Sequence, residues 1–102
     1  SMVGTMDAPL KVVAGMPMYN EEETIGTVVT QAMDHVDHVI CVDDGSSDSS
    51  ARIAEACGAI VHRHRVNRGY GGALKSLFAK AREIDADCLV MDNTTPLTFQ
   101  KY

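Results

Sequence analysis

An α/β domain, with parallel strands between layers of helix, is what this sequence predicts, and three observations predict it. Apolar runs of strand length alternate with segments of helical period, a pattern that calls for parallel strands joined by crossover helices. None of the strand runs alternates cleanly between apolar and polar residues, as expected where helices cover both faces of a sheet. At 102 residues the chain makes one domain at most, near the common domain size but short for an α/β enzyme that holds two substrates.

The first strand is expected from Leu10 to Gly15. A helix from about Glu21 to Asp34 follows, because Ile25, Val28, Val29, Ala32, Met33 and Val36 recur at three- and four-residue steps as one apolar stripe. Asn20 is its expected cap, with Glu23 reaching back, and the acids Glu21 to Glu23 suit the positive helix end. The second strand is Val36 to Val42. A second helix, Ser49 to Cys57, has Ser46 or Ser47 as its expected cap and Gly58 as the left-handed residue that ends it. Ala59 to about Arg63 forms the third strand. The third helix, from about Tyr70 to Ile84, is expected to bury Leu74, Leu77, Phe78 and Ala81, and Asp87 to Met91 is the fourth strand. Thr94-Thr95-Pro96 then breaks the pattern, and Leu97 and Phe99 alternate with polar residues as a short strand does.

Composition narrows the function. A formal net charge of −5 gives no overall basic surface to neutralise phosphates, so no nucleic-acid partner is expected. No apolar run approaches the roughly eighteen residues of a membrane helix. The three cysteines, Cys41, Cys57 and Cys88, lie far apart and suggest neither a disulfide framework nor a zinc site, so a reducing, cytoplasmic location is expected. Residues 1–9 are set aside as tag remnant and leader, 10–92 as the domain and 93–102 as a tail outside the pattern.

Three turns follow three strands, and right-handed crossovers bring those strand ends to one edge of the sheet. The first turn holds Pro17, Tyr19 and Glu21, where an aromatic ring beside an acid suits a planar base; surface packing and the helix dipole are the plainer alternatives. The second is Asp43-Asp44-Gly45-Ser46. Its paired carboxylates suit a base or ribose, a divalent cation, or an Asx turn that caps the next helix. The third runs from Arg65 to Gly72, where glycines allow close backbone approach and Arg68 suits a phosphate, or the turn serves helix packing alone. It is neither a Walker loop nor a dinucleotide fingerprint, because Leu74 stands where each motif needs glycine. His62 and His64 are expected at a solvated strand end, since no third metal ligand is spaced near them.

Pro17-Met18-Tyr19-Asn20-Glu21-Glu22, Val42-Asp43-Asp44-Gly45-Ser46-Ser47-Asp48 and Asn67-Arg68-Gly69, in that order and spacing, together resemble the amino-terminal half of family-2 glycosyltransferases. The likeness runs from about Leu10 to Asp92 and is strongest to polyprenyl-phosphate sugar transferases such as dolichyl-phosphate mannose synthases. It implies a three-layer, Rossmann-like half of a GT-A fold, with four parallel strands in the order 3-2-1-4. It further implies that the sheet edge holds a nucleotide-diphospho-sugar, contacted by Pro17, Tyr19, Glu21, Asp43, Asp44, Arg68 and Gly69, with Lys75 a weaker candidate. In the family an Asp-x-Asp pair binds Mg or Mn at the diphosphate. Here Asp92 fits the first acid and position 94 is threonine, so activity is not expected from this chain alone. No catalytic residue is assigned, because the acceptor site, a membrane lipid phosphate, belongs to the other half of a full-length parent. A sheet cut after its fourth strand exposes an edge, so a homo-oligomer is expected, with Leu97 and Phe99 at its interface. A non-catalytic oligomerising module is the alternative function.

Overall fold

The computed structural model describes residues 9–92. Strands and helices alternate as β1 (Val12–Met18), α1 (Ile25–Met33), β2 (His38–Asp43), α2 (Ser50–Ala56), β3 (Ile60–Arg63), α3 (Gly69–Glu83) and β4 (Cys88–Met91). All four strands are parallel, in the order β3-β2-β1-β4, so the Rossmann-like architecture and strand order are as expected. The tail with Leu97 and Phe99 lies outside the described residues.

Each face of the sheet has its own core. Ala14, Met16, Met18, Val39 and Cys41 point to α1 and α2, where they meet Ile25, Val28, Val29 and Ala54. Val13, Ile40 and Val42 point the other way and meet Ala73, Leu77 and Ala81 of α3. Gly15 lets α3 settle onto β1, since a Cβ there would lie 2.5 Å from Leu77 Cδ1. No helix among the described residues is long and apolar enough to cross a membrane.

Register fixes where the strands end. Met18 lies opposite Asp43 and Asp43 opposite Arg63, so β1, β2 and β3 finish level, whereas β4 finishes at Met91 opposite Gly15. Pro17 accounts for the short rung on that side. The Gly15 carbonyl accepts from Asp92 N at 3.1 Å and the Met18 carbonyl from Asp44 N at 2.9 Å, so odd residues of β1 bond toward β4 and even ones toward β2. The next rung toward β4 would need an amide hydrogen at position 17, which proline lacks. Proline thus sits within β1 at no cost to the β2 ladder, and β1 runs three residues beyond the expected Gly15.

Four local expectations need correction. α1 begins at Ile25, not Glu21, because Glu21 to Thr24 form a turn in which the Glu21 carbonyl accepts from Thr24 N and Ile25 N. Asn20 does not cap it; with φ of 49° its side chain is committed to another loop. Nor do Ser46 or Ser47 cap α2, since the Ser50 amide bonds Asp48 Oδ1 instead. Phe78 is 50% exposed rather than buried. The buried stripe of α3 is Ala73, Leu77 and Ala81, and one step beyond Leu77 turns a side chain about 100° away from the sheet. Gly58 does end α2 in the left-handed region, with φ of 103°.

Candidate functional site

Parallel strands place every strand-to-helix turn at the carboxyl edge of the sheet, and in open α/β sheets ligands bind there, at the point where strand order reverses. That reversal lies between β1 and β4, because the chain winds outward from β1 to β3 and then returns across α3 to the other side of β1. Glu21, on the first turn, and Asp92, after β4, belong to this crevice.

The first and second turns clasp each other. Backbone amides of Asn20, Glu21 and Glu22 donate to Ser46 Oγ (2.8 Å), Ser50 Oγ (2.7 Å) and Asp48 Oδ2 (3.2 Å). In return the amides of Ser47 and Ser49 donate to Asn20 Oδ1 (2.9 Å) and Glu22 Oε1 (3.1 Å). These amides precede both helices, and each is paired with a side chain of the opposite turn. Burial pushes the Asp48 carboxyl up, yet hydrogen bonds from Ser50 and Glu22 outweigh it and hold the group below its ordinary value.

The second turn is bound to the third through its two acids. Asp43 is fully buried, accepts from Ser46 N at 3.0 Å and faces Arg63 Nε at 3.2 Å. Arg63 also donates from Nη2 to the Ser46 carbonyl at 2.8 Å. Asp44, also fully buried, serves other donors: Oδ1 accepts from Arg68 N and lies 2.8 Å from His64 Nδ1, and Oδ2 accepts from Gly69 N at 2.9 Å. His64 Nε2 in turn lies 2.7 Å from Ser76 Oγ on α3. Separate donor sets keep the adjacent carboxylates from competing. Gly45 completes the junction with φ of 86°, and a Cβ there would lie 2.9 Å from Asn67 N. The chain Asp44, His64, Ser76 has the connectivity of a nucleophile relay, but His64 is 1% exposed, so these bonds hold structure together.

Glu21, Asp43 and Asp92 all act on Cys41. Its thiol is pushed up to about 12, first by burial and then by these three carboxylates. Among the described residues no group of three or more His, Cys, Asp or Glu is placed to hold an ion. Residues 93–102 contain no acid, so Asp92 has no Asp-x-Asp partner in this chain. An open cavity of about 380 Å³, lined by Gly45, Ser46, Arg63, His64 and Arg65, lies at the ends of β2 and β3.

The structure therefore binds Asp44, Arg68 and Gly69 into one unit, with Asp43 beside it on its own donors; the first turn is joined where Asn20 N donates to Ser46 Oγ, and Glu21 N donates to Ser50 Oγ at the start of α2. Tyr19, half-buried, donates its amide to Glu21 Oε2 at 3.3 Å, and Pro17 lies beneath it in β1. Arg68 contributes its backbone, while its side chain and that of Lys75 belong to exposed residues. Gly69 is needed for its φ of 81°, not for close packing, because nothing lies within 4 Å of its missing Cβ. The solvated strand end expected at His64 is wrong: β3 stops at Arg63 and the next residue folds inward, where the Asp44 carboxylate receives it. Ser76 was not singled out from sequence. Its one signal is its place on the flank of α3, one step before the buried Leu77.

Comparison with known proteins agrees with this geometry. The sequence model of glycosyl transferase family 2 matches residues 14–101. A dolichyl-phosphate N-acetylglucosaminyltransferase that uses UDP-N-acetylglucosamine, from Methanococcus voltae, is 33% identical over 93 residues, covering 74% of this chain and 37% of the relative. The undecaprenyl-phosphate 4-deoxy-4-formamido-L-arabinose transferase of Proteus mirabilis is 30% identical over 98 residues, covering 86% of this chain and 30% of the relative. Among solved structures, glucosyl-3-phosphoglycerate synthase from Mycobacterium tuberculosis, in complex with Mn2+, UDP-glucose and phosphoglyceric acid, superposes with a TM-score of 0.67 at 27% identity, covering 86% of this chain and 34% of that one. The chain thus spans about a third of the length of each of these proteins. A family match over most of the chain, on a parallel sheet whose strand order and solved neighbours are those of GT-A enzymes, makes this protein a member of glycosyl transferase family 2.

Proposed function

We propose that this chain is the nucleotide-diphospho-sugar-binding part of an inverting glycosyltransferase that passes a hexose to a polyprenyl phosphate. The observation that carries the reading is the bonding of all three strand-end turns into one edge around Asp44. In this reading Pro17, Tyr19 and Glu21 contact base and ribose, Asp43 and Asp44 shape the floor, and Arg68 and Gly69 frame the nucleotide. Asp44, fully buried, acts on the nucleotide in this reading through the backbone of Arg68 and Gly69 that it holds. The transfer is a displacement at the anomeric carbon: an acceptor phosphate oxygen bonds to it as its bond to the diphosphate oxygen breaks, with inversion. A phosphate acceptor is already ionised and needs no base.

The solved neighbour with UDP-glucose contains Mn2+. This chain's described residues offer Asp92 alone as a family-pattern metal acid, so donor binding here rests on protein groups. The chain by itself is expected to bind weakly and without turnover. Calorimetry with uridine and guanosine diphospho-sugars, with and without manganese, tests this. Weak saturable heat without product supports it, and tight binding with turnover by these 102 residues contradicts it.

A second reading, a non-catalytic module that assembles with copies of itself, is favoured by the exposure of Phe78 on α3 and of Val90, 47% exposed, on the edge strand β4. Sedimentation as a clean monomer would count against it.

A further inference from the structure

We propose that His64 is a positioning residue of the donor site, holding Asp44 so that its carboxylate fixes the backbone of Arg68 and Gly69. The proposal deepens the nucleotide-sugar reading and rests on it. An ionised carboxylate only accepts, so the 2.8 Å contact between Asp44 Oδ1 and His64 Nδ1 places the proton on Nδ1. The ring's other nitrogen, Nε2, is 2.7 Å from Ser76 Oγ, a side chain fixed on the second turn of α3. The imidazole is therefore tethered at both ends and 1% exposed. Asp44 uses the same oxygen for the Arg68 amide and its other oxygen for the Gly69 amide. Without the imidazole the carboxylate keeps both amides but loses one of its three donors, and the segment proposed to frame the nucleotide is held less firmly. A buried polar contact of this kind is worth about tenfold or more in local opening.

Two substitutions separate this role from packing. The amide of asparagine can stand near Nδ1 and that of glutamine near Nε2, so His64→Asn keeps the Asp44 bond and His64→Gln keeps the Ser76 bond. Glutamine is nearer to histidine in volume, so a packing role favours His64→Gln. The positioning role favours His64→Asn. Hydrogen exchange at the Gly69 amide, referenced to a β2 amide, is expected to quicken about tenfold in His64→Gln and less than about threefold in His64→Asn. UDP-glucose affinity should weaken in the same order. Equal protection in both variants, or the reverse order, overturns the proposal. Should wild-type chain bind no UDP-glucose, the donor-site reading fails while the exchange order still judges the tie. Should either variant fail to fold, Ser76→Ala replaces it: Gly69 exchange about threefold faster supports the tether, and wild-type exchange overturns it.

Discussion

The carboxylate of Asp44 caps a helix that starts 25 residues later in the chain, accepting the Gly69 amide at 2.9 Å. The negative group thus lies at the positive end of α3, and the helix that returns the chain from β3 to β4 is anchored to the end of β2. Neutralising it should be costly. Asp44→Asn puts an amide where His64, Arg68 and Gly69 all present donors, and is expected to lower stability by roughly 2–4 kcal/mol, read as a lower urea midpoint with unchanged slope.

Two glycines near this junction should respond in opposite directions. Gly45→Ala meets both a φ of 86° and backbone atoms at 2.9 and 3.0 Å, and should destabilise by roughly 1–3 kcal/mol. Gly71→Ala falls inside α3 with nothing within 4 Å, and should stabilise by about 0.5–1 kcal/mol. Thermal unfolding of the two variants in one buffer reads both signs.

Stability should fall on mild acidification. Burial first, then His64, Lys80 and Arg68, hold the His62 imidazole below its ordinary value of 6.5. Below that pH the unfolded chain takes up a proton that the folded chain resists, so His62's contribution is complete above 6.5 and declines as pH drops toward the folded value. Urea midpoints measured downward from about pH 7.5 should show this decline, and His62→Asn should flatten it.

The cysteines should separate by reactivity. Cys41, buried and pushed up to about 12 first by burial and then by Glu21, Asp92 and Asp43, stays a thiol at mildly alkaline pH. Cys88 is exposed on β4. A thiol-reactive disulfide reagent at about pH 8 should therefore modify Cys88 in the native protein and Cys41 only after denaturant is added.

Much of the fold was legible because it depends on periodicity. The apolar runs and the i, i+4 stripe of α3 record which faces meet, and each turn chemistry marks a strand end. The cores bear this out at Val13, Leu77 and Val39. Local caps were misread because the same residue types serve distant partners equally well. Asn20 and Ser46 have the chemistry of helix caps, yet they bond each other's loops across the sheet edge. His64 was missed for a related reason: an alternating His-Arg-His-Arg run carries no sign of which residue turns inward once the strand has ended. For Asp44 the plain capping reading was right in kind and wrong in address, since the helix it caps is α3.

The central claim, that the joined strand-end turns hold a nucleotide-diphospho-sugar, is tested most directly by following backbone amide resonances while UDP-glucose is added. Saturable shifts confined to the segments around Tyr19 and Glu21, Asp43 to Ser47 and Asn67 to Gly69 are the predicted result. Unchanged amides in all three segments at millimolar ligand, with the chain folded, would contradict it.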